Sequence, residues 1–357
     1  MISLPERLGV AAGGRAYVVA ELSANHDQDF DRALELVDAA RDAGADAIKL
    51  QTYTPDTITL KSDAEAFVIR SGTVWDGRTL HDLYGEAYTP WEWHGPLQER
   101  AESIGLGFFS SPFDSTAIDF LVDLEVLAIK IASFEIVDVG LIERAARTGL
   151  PLVISTGMAT FPEIDEAVTV ARGAGASRIV LLKCTSSYPA PVEEANLRTM
   201  EHLAATYALP VGLSDHTLGT TVAIAAVAMG AVMIEKHLTL RRADGGPDSG
   251  FSLEPAEFRT MVDGIREAEA AIGRVSYEPT AHEVESRRLR RSLFISQDVK
   301  AGEVLTEANV RSVRPAAGLH TRHLREVLGR RVKQDTPLGT PLSWDLLEAA
   351  DPAADSG

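Results

Sequence analysis

Short runs rich in apolar and β-branched residues recur along the first 275 residues, at 17–20, 47–50, 107–109, 127–131, 152–154, 179–183, 211–213 and 232–236. Between them, stretches rich in Ala, Glu and Leu, such as 32–43, 162–172 and 255–272, place apolar residues at helical spacing. Gly44, Gly105, Gly149, Gly173 and Gly230 stand where those helices should stop. Eight strands alternating with helices predict a parallel sheet, and the count of eight favours a closed (β/α)8 TIM barrel over an open doubly wound sheet. The stretch 53–89 departs from the alternation. At that length it reads as an insertion after the second strand, on the face where active-site loops lie.

Beyond residue 273 the pattern changes. Residues 274–289 are polar, with Pro279 inside, and read as a linker. Residues 290–350 carry short strand-like pieces at 292–295, 303–305, 310–313 and 341–344, and two similar turns at 298–302 and 335–339. The expected organisation is a barrel domain over 1–273, then a small β-rich domain near the lower size limit for independent folding.

Composition narrows the class without changing the fold. With 45% hydrophobic and 24% charged residues in 357, the chain is ordinary globular protein. Asp and Glu number 52 against 34 Lys and Arg, a net −18 that argues against nucleic acid or an anionic membrane as partner. From 283 to 333, however, twelve basic residues face six acidic ones, a local +6 that leaves −24 elsewhere. The longest apolar run, 222–234, has 13 residues, too few to span a bilayer and suited to a buried helix-to-strand passage. The opening segment MISLPERLGV has an acid and a base where a signal peptide needs apolar residues. A single cysteine, Cys184, excludes an internal disulfide. The expected location is the cytoplasm.

Reactive groups in such barrels come from the C-terminal ends of strands. Here those ends read Glu21, Lys49 with Gln51, Ser110 with Ser111, Lys130 with Ser133 and Glu135, Ser155 with Thr156, Lys183, Ser214 with Asp215 and His216, and Glu235 with His237. His216 and His237 follow adjacent strands, about 4.8 Å apart, so they can share one divalent ion; the bland alternative is two satisfied polar residues. Two nitrogen ligands with open positions suit Mn²⁺ or a similar ion. Lys130 with Ser111, Ser133, Ser155 and Ser214 supplies the charge and donors of a phosphate cradle, unless the hydroxyls merely cap helices. Glu21 and Glu135 suit general acid–base work, or ion pairs with Lys49 or Lys130. Trp91 and Trp93 read as packing. Cys184 reads as a buried small residue and not a nucleophile, with no obvious base beside it.

The segments AELSANH, KLQTYT, SSPFD, KIASFEI, STGMAT, KCTSSYPAP, GLSDHTLG, IEKHLTL and GGPDSGFSLEP, in that order from 20 to 255, resemble the sialic acid synthases. The likeness is greatest to the branch that makes pseudaminic acid, through ELSANH, where N-acetylneuraminate enzymes more often read E-I-G-x-N-H, and through GGPDSGFSLEP. The C-terminal part resembles the antifreeze-like (SAF) domain of those synthases. The resemblance implies condensation of phosphoenolpyruvate with the open-chain aldehyde of 2,4-diacetamido-2,4,6-trideoxy-L-altrose, giving a nine-carbon 2-keto acid and phosphate. It implies that His216 and His237 hold the metal, Mn²⁺ by preference with Mg²⁺ or Co²⁺ as substitutes. Lys49, Lys130, Ser111, Ser133, Ser155 and Ser214 would hold phosphoenolpyruvate, and Glu21, Glu135 and Glu235 would handle protons and water. Gln51, Tyr188 and Asp248 would face the sugar. It also implies a homodimer in which Arg314 of the C-terminal domain reaches the other subunit's barrel. Ser186 stands where N-acetylneuraminate enzymes often carry Asn.

Three alternatives remain. Legionaminate or N-acetylneuraminate synthesis would keep the mechanism and change the sugar. A Schiff-base pyruvate aldolase would use Lys130 or Lys49 without metal. A non-catalytic sugar-binding protein is disfavoured, because a neutral sugar needs no buried lysines.

Overall fold

A computed structural model describes residues 14–70 and 75–349. The opening segment read against a signal peptide, the middle of the insertion and the last residue of the expected second domain lie outside them. Eight parallel strands form a closed barrel in sequence order: β1 (Tyr17–Glu21), β2 (Ala47–Thr52), β3 (Gly107–Pro112), β4 (Ile129–Ile131), β5 (Leu152–Ser155), β6 (Ile179–Cys184), β7 (Val211–Asp215) and β8 (Met233–His237). The expected TIM barrel is therefore the fold, each strand lying at or within the reach of its predicted run. Closure pairs Glu21 with His237 across β1 and β8, while Glu21 pairs with Lys49 across β1 and β2.

Strand residues alternate between two faces. One set, Val19, Ala47, Phe109, Ala128, Val153, Val180, Leu182 and Met233, fills the barrel interior. The other, including Val18, Ile48, Phe108, Ile129, Ile154, Leu181, Leu213 and Ile234, packs outward against the helices. Both faces are apolar because a parallel sheet is covered on both sides. Gly212 has no side chain for a steric reason. A Cβ there would lie 2.3 Å from the Met233 carbonyl oxygen, so any larger residue would force β7 away from β8.

Helices follow the strands where the spacing predicts. Phe161–Gly173 starts on a Thr160–Glu163 capping box, and Pro255–Ile272 has Pro at its first turn and a Glu254–Glu257 box. Gly44, Gly105, Gly149 and Gly230 take positive φ at helix ends, but Gly173 does not; it lies inside its helix, and Gly175 (φ +101°) makes the turn. The apolar run 222–234 passes from helix Thr221–Ala228 into β8. Among the described residues no helix is long and apolar enough to cross a membrane. The insertion has structure of its own: helices Pro55–Ile58 and Leu80–Ala87 and a bridge between Val68 and Thr79.

The chain divides into two compact units after Gly273. The second unit begins with the stretch read as a linker, which contains a short helix, Ala281–Ser286. Its sheet is one antiparallel pair, β9 (Ser292–Ile295) and β10 (Val310–Val313). The expected strands at 303–305 and 341–344 reduce to single bridges, Val304 to Arg331 and Phe294 to Pro341. Pro341 has no N–H to extend a ladder, and Trp344 starts a 3₁₀ turn. The two similar turns cap each other: Asp298 Oδ1 accepts from Leu338 N at 2.8 Å and Asp335 Oδ1 from Ala301 N at 2.9 Å. Between them Val299 and Thr336 exchange backbone hydrogen bonds of 2.9 and 2.8 Å. Nine buried residues, from Leu293 to Leu347, form this unit's small core.

Candidate active site

At the C-terminal end of the barrel, one position above the apolar interior layer, the inward face turns polar. Every strand contributes one side chain: Glu21, Lys49, Ser111, Lys130, Ser155, Cys184, Ser214 and Glu235, all buried. The alternation that places Val19, Ala47, Phe109, Ala128, Val153, Leu182 and Met233 inside places their neighbours two residues on inside as well. The ring therefore follows from the pleat.

On the arc from β8 through β1 to β2, the charges are paired. Lys49 Nζ is 2.5 Å from Glu21 Oε2 and 3.7 Å from Glu235 Oε1, and donates to Ser111 Oγ at 3.2 Å. Burial alone would pull Lys49 down, but Glu21 and Glu235 hold it above the ordinary lysine value. Burial pushes Glu21 up against the pull of Lys49. Glu235 is also opposed by burial, yet Lys49, Lys130 and His216 together hold it low. Ser214 Oγ donates to Glu235 Oε1 at 3.2 Å.

The arc at β4 and β5 is different. Lys130 is buried and donates to the adjacent Ile131 carbonyl at 3.0 Å, with no ion pair among the described residues. Burial lowers it, and Glu235 only partly restores it. Ser155 Oγ has no hydrogen-bond partner, while Ser133 Oγ accepts from Gly157 N at 3.2 Å. A Cβ on Gly157 would come within 2.7 Å of Ser133 Oγ and closer still to Ser186 Oγ, so a residue without a side chain keeps this corner open. None of the four hydroxyls caps a helix; Asp114 and Asp138 cap the helices after β3 and β4. Glu135, on the turn Ser133–Val137, is pushed up to about 7 by burial against the pull of Lys130, and its Oε2 lacks a partner.

The histidines sit above the ring with centroids 5.3 Å apart. His216 Nδ1 donates to the Thr185 carbonyl at 3.0 Å, which leaves Nε2 as the nitrogen that can turn to a ligand. Burial is outweighed by Cys184 and that carbonyl, which hold this imidazole above its ordinary value. Burial, aided by His216, Lys49 and Lys236, holds His237 well below its ordinary value and therefore neutral, and its Nδ1 has no partner. Two such imidazoles fit a divalent ion whose other positions are filled by water or substrate. Among the described residues no group of three or more His, Cys, Asp or Glu is arranged to hold a metal, so a closed structural site is not present. Tyr188 packs 4.3 Å from His216 and 5.0 Å from Phe251, which in turn lies 5.0 Å from His237. Gln51 Nε2 donates to Glu21 Oε1 at 3.1 Å, and Asp248 enters the same network through Ser23.

Strand parity removes several strand-end residues from the site. Asp215 points outward and pairs with Lys236 at 2.7 Å, both buried beneath the helices. Lys183 turns out to the Cys184 carbonyl and Thr185 hydroxyl, at 2.9 and 2.8 Å, and Ser110 to Thr52. Trp91 and Trp93 pack as expected, against Phe120 and Phe30. Arg314 belongs to the second unit, where it is exposed just beyond β10. Cys184 is buried, as read, and His216 Nδ1, which donates to the Thr185 carbonyl, lies 3.7 Å from its sulfur. Burial raises that thiol, and His216 with the neighbouring serines brings it down to about 7. That imidazole is distant in sequence and adjacent only in the fold. Ser23 and Phe251 escaped the sequence reading too, although Ser23 continues the inward parity of Glu21.

A barrel mouth with buried lysines, unpartnered donors, carboxylates and an imidazole pair is the site of an enzyme that handles an anionic substrate. The chain belongs to the NeuB family, whose model matches residues 36–277, and an SAF domain model matches 290–348. It is 45% identical to the pseudaminic acid synthase of Helicobacter pylori over 93% of this chain and 97% of that one. It is 37% identical to the N,N'-diacetyllegionaminic acid synthase of Legionella pneumophila, over 93% and 95%. A crystal structure of N-acetylneuraminic acid synthetase from Leptospira borgpetersenii superposes with a TM-score of 0.69 at 32% identity, over 78% of this chain and 92% of that one.

Proposed function

We propose that this chain is a pseudaminic acid synthase, joining phosphoenolpyruvate to 2,4-diacetamido-2,4,6-trideoxy-L-altrose in its open-chain form. The observation that carries the reading is the contrast between unpaired Lys130, with the free donors around it, and the paired Glu21–Lys49–Glu235 group opposite. An anion entering the mouth finds a cation without an ion pair, with the Ser133 and Ser155 hydroxyls beside it, and binding there relieves a buried charge. Ser111 and Ser214 extend the donor set toward Lys49, which orients the carboxylate end. Gln51, Tyr188 and Asp248 line the side that takes the sugar. His216 and His237 would hold the divalent ion, Mn²⁺ by preference, which when bound supplies Lewis-acid polarisation of a carbonyl oxygen.

In the reaction, carbon 3 of phosphoenolpyruvate attacks the aldehyde carbon, and the aldehyde oxygen takes a proton. Water adds at carbon 2, and the tetrahedral adduct expels phosphate by C–O cleavage. Glu235, held ionised, suits the base that takes the proton of that water. Glu21 and Glu135, both pushed up, suit proton donors. Lys130 and the hydroxyls stabilise the charge on the departing phosphate.

We further assign the working form as a cytoplasmic homodimer in which the C-terminal domain of one subunit, through Arg314, completes the barrel mouth of the other. The local +6 against −24 supports the pairing. The test is phosphate release from phosphoenolpyruvate with Mn²⁺, given either the diacetamido sugar or N-acetylmannosamine, beside a chelated control. Metal-dependent release with the diacetamido sugar alone is expected. Release only with N-acetylmannosamine would move the enzyme to the N-acetylneuraminate branch, and release only with the legionaminate precursor to the branch of the Legionella relative. The lowered Lys130 also suits a Schiff-base aldolase. Borohydride trapping of pyruvate on this lysine would replace the synthase reading.

A further inference from the structure

Ser23 is held in a conformation that its residue type resists. Its φ is +45°, in the left-handed region where a side chain costs free energy, and it is buried. The hydroxyl accounts for the position. Ser23 Oγ donates to Asp248 Oδ2 and accepts from Gln51 Nε2 at 3.1 Å. Gln51 Nε2 spends its other hydrogen on Glu21 Oε1, also at 3.1 Å. Both Gln51 bonds leave its amide nitrogen, so Gln51 keeps only its carbonyl oxygen uncommitted. The loops after β1 and β8 do not need Ser23 to stay together. Asn25 Nδ2 donates to the Leu238 carbonyl and to Ser252 Oγ, both at 2.9 Å, and Arg32 meets Asp244 at 2.9 Å. Trp75 of the insertion adds a bond of 3.1 Å to the Pro247 carbonyl.

We propose that Ser23 is a positioning residue that sets which sugar the enzyme accepts, by locking Gln51 and Asp248 as a pair of acceptors. The inference rests on the synthase reading above. A wall of acceptors matches a sugar that presents amide N–H donors, and the diacetamido sugar carries one more of these than N-acetylmannosamine. Without the hydroxyl, Gln51 Nε2 keeps only its bond to Glu21 and Asp248 loses its donor, so the two acceptors are held less firmly and the preference narrows.

Two variants separate this role from a scaffold role. Ser23→Gly removes the hydroxyl and the left-handed strain together, whereas Ser23→Ala removes the hydroxyl alone. Steady-state phosphate release is measured for wild type and both variants with each sugar, beside thermal melts. Both variants should raise KM for the diacetamido sugar roughly tenfold, with kcat within about twofold and KM for phosphoenolpyruvate unchanged. The preference over N-acetylmannosamine should shrink, and Ser23→Gly should melt no lower than wild type. A Ser23→Gly enzyme with wild-type sugar KM and preference overturns the proposal. So does a parallel rise in both KM values, or a Ser23→Gly chain that melts well below wild type, since either marks a scaffold role. A wild-type enzyme inert with both sugars defeats the reaction reading itself, and is seen without recourse to any variant.

Discussion

The two arcs of the barrel mouth are made of similar residues and behave oppositely. From β8 to β2, a lysine lies between two glutamates at 2.5 and 3.7 Å, so its charge is answered within the protein. At β4 and β5, a lysine just as deeply buried has no ion pair among the described residues and donates to a neighbouring carbonyl at 3.0 Å, with Glu235 acting on it only from a distance. A buried cation without a counter-ion is unstable unless something else supplies the anion. The first arc is a closed circuit that holds groups in place for proton transfer. In the proposed reaction the second is completed by the substrate.

Substitution of the two lysines should separate these roles most sharply. Lys130→Met should lower kcat/KM at least about a thousandfold, as expected for loss of a charge stabilising the departing group. It should also melt at or above the wild-type temperature, because an uncompensated buried charge is gone. Lys49→Met should do the reverse to stability, costing about 3–5 kcal/mol by leaving Glu21 and Glu235 without their cation. Urea melts beside phosphate-release assays read both; equal destabilisation by the two variants would erase the distinction between the arcs.

A third experiment concerns the divalent ion proposed for the imidazole pair. His237→Ala should weaken Mn²⁺ binding at least about 100-fold, read by calorimetry or by the resonance of free Mn²⁺. Turnover that survives in this variant after strict chelation would remove the imidazole pair from the mechanism.

The smallest effect belongs to Glu135 beside the open arc. Its carboxyl titrates at about 7 in the folded chain against an ordinary 4.5, so folding favours the protonated form. Stability should then fall as pH rises from 4.5 to about 7 and level off above it. Glu135→Gln should flatten that slope and gain about 1–2 kcal/mol at pH 8, after allowance for its partial exposure. Stability of the variant that tracks wild type through this window would show that the carboxyl is not held protonated.

Much of this could be read along the chain. Eight strand runs, their order, the helix starts at Pro162 and Pro255 and the change of pattern after 273 all follow from local periodicity and capping. So does the set of strand-end residues, since each lies at the end of an apolar run. Local pattern also has a limit: a period of two shows that neighbours face opposite ways, but not which faces inward. Asp215, Lys183 and Ser110 look as eligible in the sequence as Glu235 and Ser111. The apolar interior layer settles that phase, and it exists only once the sheet has closed.

Pairing across the closure is likewise invisible in one dimension. Glu21 meets Lys49 and shares it with Glu235 because β1 lies between β2 and β8. Cys184 acquires an imidazole from β7, and Ser23 an aspartate from the loop after β8. The sequence by itself determined the elements and the chemical types at the mouth, because strand and helix formation depend on near neighbours. Only the tertiary structure decided which charges cancel and which remain for substrate, because that depends on distances of a few ångströms between residues far apart in the chain.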